Sequence, residues 1–386
     1  MIEPHPPKDV VMNNWILNDI VSFFMSLVLA GIIIPQILLI AFRKKLFDEI
    51  DERKIHQGVV PRLGGIAFFP SILFSFFLIV GFNLKHFGWD VVGVYFEGFE
   101  PFYFMVCAVL LMFLVGIADD LIGVRYRAKF LVQIVASILI VCSGVYIDNF
   151  YGFLWIDEIY PWIGWIVTAF MVVFVVNAIN LIDGIDGLAS GLSTVAFIFY
   201  AIVFFFADKY AYSMLAAAAA GTLLPFFYYN VFGRADKKKK IFMGDTGALT
   251  TGMILIFCAI EMLHLGDVPI SLDYNAVILG ISPLIIPIFD VVRVYIHRVV
   301  RHRNPFLPDK SHIHHKLLAL GVNQRIALII IMLWSMFFIV INMLLSSYIN
   351  PTFIILADGV IWTIVNFILS SAITKRETRV GIKLFE

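Results

Sequence analysis

Charge is what this sequence has least of: 15% of its 386 residues are Asp, Glu, Lys or Arg, against 61% that are hydrophobic. So little polar surface cannot cover a globule of this length, which excludes a water-soluble fold and leaves an integral membrane protein. Cysteine is scarce too. Cys107, Cys142 and Cys258 each lie in an apolar run without CxxC spacing, so no disulfide framework is expected and they read as small core side chains. No polar stretch is long enough for a soluble domain, since the longest connector, about 297–324, cannot bury a core of its own. Internal repeats are lacking, and Met1–Trp15 lacks the basic start of a cleaved leader, so the first apolar run is expected to stay. The formal net charge of zero gives no basic footprint, and no nucleic-acid partner is expected.

Long apolar runs are what it has in quantity. They lie at about 15–42, 64–82, 102–118, 128–147, 161–181, 189–207, 212–232, 245–264, 276–296, 325–346 and 352–373, each near the roughly 20 residues that carry a helix across a hydrocarbon core. The expected fold is therefore all-α, a polytopic bundle of about eleven transmembrane helices forming one domain over 1–386, with a short cytoplasmic tail from 375. Pro225 and Gly252 mark the spans at 212–232 and 245–264 as the ones to be kinked or shortened.

Alternating the connecting loops between two sides sorts the 28 Lys and Arg very unequally: only Lys8, Lys85 and Lys209 fall on one side. By the positive-inside rule the crowded side is cytoplasmic, which puts the N-terminus outside and the C-terminus inside. Four polar signatures then share the cytoplasmic side: 116-GIADDLIGV-124, 177-NAINLIDGIDGLASG-191, 242-FMGDTGALTTG-252 and 309-DKSHIHHKLL-318. Structural polar residues would scatter over both faces, whereas one catalytic pocket needs its parts at one depth.

Each signature has a structural reading beside a chemical one. Asp119 and Asp120 are adjacent carboxylates, either a solvated helix end or a pair held by a cation. Lys129, ten residues on, can pair with a carboxylate or hold a phosphate. Asn177, Asn180, Asp183 and Asp186 recur every third residue. On an unbroken helix that stripe would swing to the opposite face, so the helix should end near Asn180–Leu181 and let Gly184 and Gly187 gather the side chains into one pocket. A charge at the centre of a span costs roughly 2.5–3.5 kcal/mol, so Asp183 and Asp186 must face water, protein or a metal. Gly244–Gly247 resembles an N-cap, with Asp245 or Thr246 accepting first-turn amides, and an Asp there can also bridge Mg²⁺ to a phosphate. Phe242 is an interfacial ring or a face for a base. His312, His314 and His315 lie among Arg298, Arg301, Arg303, Lys310 and Lys316, a surround that suits phosphate better than zinc.

Together these four motifs, in this order and on one face, resemble the polyprenyl-phosphate N-acetylhexosamine-1-phosphate transferases, relatives of the phospho-MurNAc-pentapeptide translocase. The resemblance runs from about Lys44 to Lys316 and includes 51-DERKIHQGVVPRLGG-65. His312-Ile313-His314-His315, in place of three consecutive histidines, is similar to the branch that transfers GlcNAc-1-phosphate. The sequence departs from the family pattern where Asn230 is followed by VFGRADKKKK rather than a short Pro-Ala-Lys segment.

The resemblance implies a UDP-N-acetylhexosamine donor, undecaprenyl phosphate as acceptor within the lipid bilayer of a bacterial inner membrane, Mg²⁺ (with Mn²⁺ as a substitute), and admits a homodimer. It implies Asp245 as metal ligand with Asp119 or Asp120 on the metal or the nucleophile. Asn177, Asn180 and Asp183 would line the diphosphate, and Asp186 and Phe242 the uridine. His312, His314, His315 and Arg301 would serve the sugar-phosphate, and Lys129 the acceptor phosphate. The competing class is a secondary transporter, whose polar groups should sit near the midplane and whose halves often repeat.

Overall fold

The computed structural model describes residues 8–46, 59–96, 99–267, 274–302 and 311–380. Much of 51-DERKIHQGVVPRLGG-65, together with Arg303, Asp309 and Lys310, lies outside the described residues. The helices in chain order are α1 (Lys8–Lys44), α2 (Phe68–Phe96), α3 (Glu100–Ile122), α4 (Tyr126–Cys142), α5 (Pro161–Ile182), α6 (Leu188–Phe206), α7 (Tyr210–Val231), α8 (Gly244–Leu263), α9 (Ala276–Ile281), α10 (Ile285–Val300), α11 (Ile313–Ala319), α12 (Gln324–Ser346) and α13 (Pro351–Val380).

All eleven apolar runs are helical, and ten helical stretches among the described residues are long and apolar enough to cross a membrane. The run expected at 128–147 is the exception, because α4 has 17 residues, about 25 Å at 1.5 Å per residue. α7 runs unbroken through Pro225 and α8 through Gly252, while the break falls in the span Ala276–Val300, where a 3-10 turn over Ser282–Leu284 joins α9 to α10. Pro283 stands inside that turn, lacking the amide a continuous helix would use.

α8 is the axis of the bundle, buried along its apolar length, with α3 and α5 packed against it. Small residues permit the approach: a Cβ on Gly116 of α3 would lie 2.4 Å from the Thr246 Cα, so only glycine lets the two helix ends meet. α1 and α13 lie at the periphery with most of their apolar surface outward, as a lipid-facing helix requires. Two cysteines join them there, since Cys107 and Cys142 are exposed and only Cys258 is in the core. A cysteine is small and apolar enough for either place, which is why its spacing did not decide.

The polarity of the helices fixes the location of the site. The C-terminal ends of α3, α5 and α7 and the N-terminal ends of α4, α6 and α8 come to one end of the bundle, so residues far apart in sequence converge there.

Candidate active site

The floor of the site is the entrance to α8. Residues 61–65 pair with the strand-like segment before it: the Phe242 amide donates to the Pro61 carbonyl (2.9 Å), and the Gly64 and Gly65 amides donate to the Phe242 and Met243 carbonyls (3.0 and 2.9 Å). Gly244 then turns the chain at φ +70°. The first amides of α8 need acceptors, and the capping expected of Asp245 or Thr246 does not occur. Asp120 from α3 does it instead, its two oxygens accepting from the Asp245 amide (2.8 Å), the Thr246 amide (2.9 Å) and the Thr246 hydroxyl (2.6 Å). Because another helix supplies the cap, the Asp245 carboxylate is left to reach across the site.

It meets Lys129 of α4, which holds Asp245 in a close ion pair and Asp119 at 3.0 Å. Asp119 also accepts the Val124 amide at 2.7 Å, closing the turn after α3. Asn180 donates to the same Asp245 oxygen at 3.3 Å. α5 ends at Ile182, with Asp183 as its C-cap, close to where the spacing predicted. Burial, and then the neighbouring charges of Asp186, Asp245 and Asp120, push the Asp183 carboxyl up to about 7. Arg62 offsets this in part. Carboxylates therefore outnumber cations around the entrance to α8.

The stripe of α5 does not all gather in that pocket. Asn177 exchanges hydrogen bonds with Gln133 (2.7 and 3.3 Å) and donates to the Val173 carbonyl, so it joins α5 to α4. Asp186 turns the other way and is held by Lys240 at 2.6 Å, whose ammonium also lies 5.9 Å from the centre of the Phe242 ring. Asp186 and Phe242 thus share one cation. Asn230 fixes this corner, accepting from the Gly187 amide (2.5 Å) and donating to the Ile241 carbonyl (2.8 Å).

Three imidazoles approach from the far side on α11. His312 pairs with Asp290 of α10 at 2.8 Å, and Asp290, fully buried, also accepts from Arg293 (2.9 Å) and the Ile313 amide (3.0 Å). His314 is 1% exposed with neither ring nitrogen hydrogen-bonded. A Cβ on Gly184 would lie 2.0 Å from its Nε2, so this ring rests on the turn that follows α5. Burial, and next the neighbouring His315, push the His314 imidazole down to about 3, and the ring is neutral. The His315 ring centre lies 4.2 Å from that of His314. Arg301 is set apart, exposed at the end of α10, and among the described residues no hydrogen bond or ion pair ties it to the acidic cluster.

Residues 102–263 match the family described as Glycosyl transferase family 4. The chain is also similar to a probable undecaprenyl-phosphate N-acetylglucosaminyl 1-phosphate transferase of Bacillus subtilis, 30% identical over 87% of this chain and 87% of that protein. The chain belongs to glycosyl transferase family 4. Undecaprenyl-phosphate alpha-N-acetylglucosaminyl 1-phosphate transferases of Yersinia pestis (28% identical over 76% of this chain and 75% of that one) and Escherichia coli K12 (27%, 82% and 80%) are similar as well.

In this family 4 chain the geometry adds residues that sequence reasoning passed over. Lys240 reads in the sequence as one lysine of a basic run, yet it alone of Lys237–Lys240 is buried. Asp290 was legible by the argument applied to Asp183, being a lone carboxylate inside an apolar run. Gln133 and Arg62 carry no such signal, because their partners come from other helices. Among the described residues no three His, Cys, Asp or Glu side chains converge to hold a metal ion unaided. That arrangement suits Mg²⁺, a hard cation that usually takes one or two carboxylates and completes its shell with water and substrate phosphate. It does not suit zinc at the histidines, since His312 is committed to Asp290.

Proposed function

We propose that this chain transfers GlcNAc-1-phosphate from UDP-GlcNAc to undecaprenyl phosphate and releases UMP, at the cytoplasmic face of a bacterial inner membrane. The observation that carries the reading is the meeting of Asp119 of α3 and Asp245 of α8 on Lys129 of α4, with Asp183 near enough to feel the Asp245 charge, at one end of a membrane bundle. The relatives' names supply the acceptor and the transferred group, the family resemblance suggests the UDP-sugar donor, and the one-sided charge of the loops supports the orientation.

The acceptor is a phosphate monoester on a lipid, the donor a charged pyrophosphate from the cytosol, and they can meet only at the headgroup level. An oxygen of the lipid phosphate attacks the β-phosphorus of the donor. The bond from that phosphorus to the bridging oxygen breaks, UMP departs with the bridging oxygen, and a polyprenyl diphospho-sugar remains. A phosphate monoester has a second pKa of about 6, so the nucleophile is already deprotonated at cytosolic pH and needs no general base. The difficulty is repulsion between anions, so positioning and charge neutralisation carry the catalysis.

Asp245 and Asp183, with Asp119 beside them, are the carboxylates that would hold Mg²⁺. When bound, that ion supplies charge neutralisation at the diphosphate. Lys129 exchanges its carboxylate partners for the acceptor phosphate, Asn180 orients Asp245, and Asp120 keeps the α8 entrance rigid beneath them. Lys240, Asp186 and Phe242 form the corner suited to uridine, offering a carboxylate and a ring face. His314, neutral and unpartnered, faces the sugar-phosphate.

The test is UMP release by the purified protein in lipid nanodiscs containing undecaprenyl phosphate, against a panel of UDP-hexosamines and UDP-MurNAc-pentapeptide, with mass spectrometry of the lipid product. The expected product carries one HexNAc and two phosphates from UDP-GlcNAc alone and only with Mg²⁺ present. Product from the pentapeptide donor instead would assign the chain to the translocase branch, and no product from any donor would end the enzymatic reading.

A further inference from the structure

The loop between α7 and the entrance to α8 is where this chain departs from the family pattern, and nothing in the transfer reaction uses most of it. Lys240 turns inward to Asp186, but Arg234, Lys237, Lys238 and Lys239 are exposed. Their only acidic neighbour in the loop is Asp236, and that residue is bound by the Arg234 guanidinium through both oxygens (3.1 and 2.7 Å). Among the described residues no further acid pairs with the three lysines, and Arg43 and Lys44 in the last turn of α1 add to their charge. α1 lies beside the loop, since the Lys238 ammonium sits 5.5 Å from the centre of the Phe42 ring.

Sorting the topology requires positive charge in a loop but not a folded loop. This one is folded. The Lys238 and Lys239 amides donate to the Ala235 and Arg234 carbonyls at 3.0 Å each, and Lys238 occupies the left-handed region at φ 55°. The height of the loop is set by its flanks. Tyr228 and Phe232, at the end of α7, are 61% and 53% exposed on a surface that faces lipid, the position in which amphipathic rings mark the headgroup boundary. Arg325, exposed at the start of α12, lies 5.5 Å from the centre of the Phe232 ring. Cations thus stand over aromatic rings on both sides of the lysine turn, with apolar surface directly below.

We infer that this corner is a docking surface for anionic phospholipid headgroups. Exposed rings beneath the cations favour a lipid over a free phosphate, because a soluble anion has no use for an apolar flank at the acyl boundary. Basic side chains at an anionic leaflet act additively and are screened by salt.

The test does not depend on the transfer reaction. The full-length protein, stripped of lipid in detergent, is offered equal phosphatidylglycerol and phosphatidylcholine, and retained lipid is counted by native mass spectrometry. The expected result is preferential retention of phosphatidylglycerol, lost on the order of a hundredfold when Lys237, Lys238 and Lys239 are all changed to Gln, kept when all three are changed to Arg, and unaffected by Lys375→Gln. Millimolar inorganic phosphate should not displace the lipid. Equal retention by the Gln and unmodified proteins would overturn the proposal, as would displacement by phosphate, which would make the corner a small-anion site. Should the triple variant melt early, Lys237→Glu alone must still weaken retention.

Discussion

Two clusters of charge lie near the turn after α5, and they are built on opposite principles. Around Asp290 the carboxylate is fully answered: Arg293, His312 and the Ile313 amide all donate to one buried Asp. At the entrance to α8 charges are left over, with Asp119, Asp120, Asp183, Asp186 and Asp245 set against Lys129, Lys240 and a share of Arg62. A balanced cluster gains rigidity and has nothing to offer a ligand. An unbalanced one costs stability unless something cationic arrives, which is how a binding site differs from a staple.

The sharpest way to test that contrast is to remove one carboxylate from each side. Asp245→Asn keeps the shape and loses the charge, and should lower kcat for UMP release on the order of 10³-fold while leaving the melting temperature in detergent unchanged or higher. Asp290→Asn should do the reverse, costing about 3–5 kcal/mol by stranding the Arg293 charge. It should be seen as a drop in melting temperature with activity lost only in proportion to unfolding. If the two variants behave alike, the division between site and staple is wrong.

The carboxylates of the unbalanced cluster could be read from the sequence because each interrupts an apolar run at a helix end, where lipid makes charge expensive. The fold was legible for the same reason, and eleven apolar runs became helices. What the sequence hid was pairing. Asp245 or Thr246 was expected to cap α8 in the structural reading, but the cap comes from Asp120, because α3 arrives at Gly116 with no Cβ in the way. Asn177 shares its stripe with Asn180 yet faces Gln133, because one helical turn is enough to point it at α4 instead of the pocket. Lys240 was lost in a run of identical residues, only one of which turns inward.

A smaller perturbation addresses how the two clusters touch. α11 approaches the turn after α5 where the His314 ring lies against Gly184. Gly184→Ala would place a methyl 2.0 Å from Nε2 in the present arrangement, so the ring must move. A displacement of about 1 Å can cost up to roughly 10²-fold in rate. The expected signature is a lower kcat with little change in KM for the donor and a melting temperature close to that of the unmodified protein. Unchanged kcat would show that His314 need not rest there for transfer.

The last test reads His314 by pH alone. Its imidazole is pushed from 6.5 down to about 3 in the folded chain, whereas the unfolded chain takes up the proton near 6.5. Between those values the unfolded state holds more protons, so stability must rise with pH across that window and fall on acidification. The contribution is fully present above 6.5, and about 3 kcal/mol of it should be gone by pH 4.5. His314→Gln is neutral throughout and should flatten the acid limb, so that melting temperatures of the variant at pH 7 and pH 4.5 differ less than those of the unmodified chain. The effect belongs to the unbonded ring and not to its neighbour, because His312 is held by Asp290 and has a partner for its proton. An equal acid loss in the variant would mean that the ring finds a proton acceptor in the fold, and the orphaned imidazole would no longer distinguish this cluster's edge from its core.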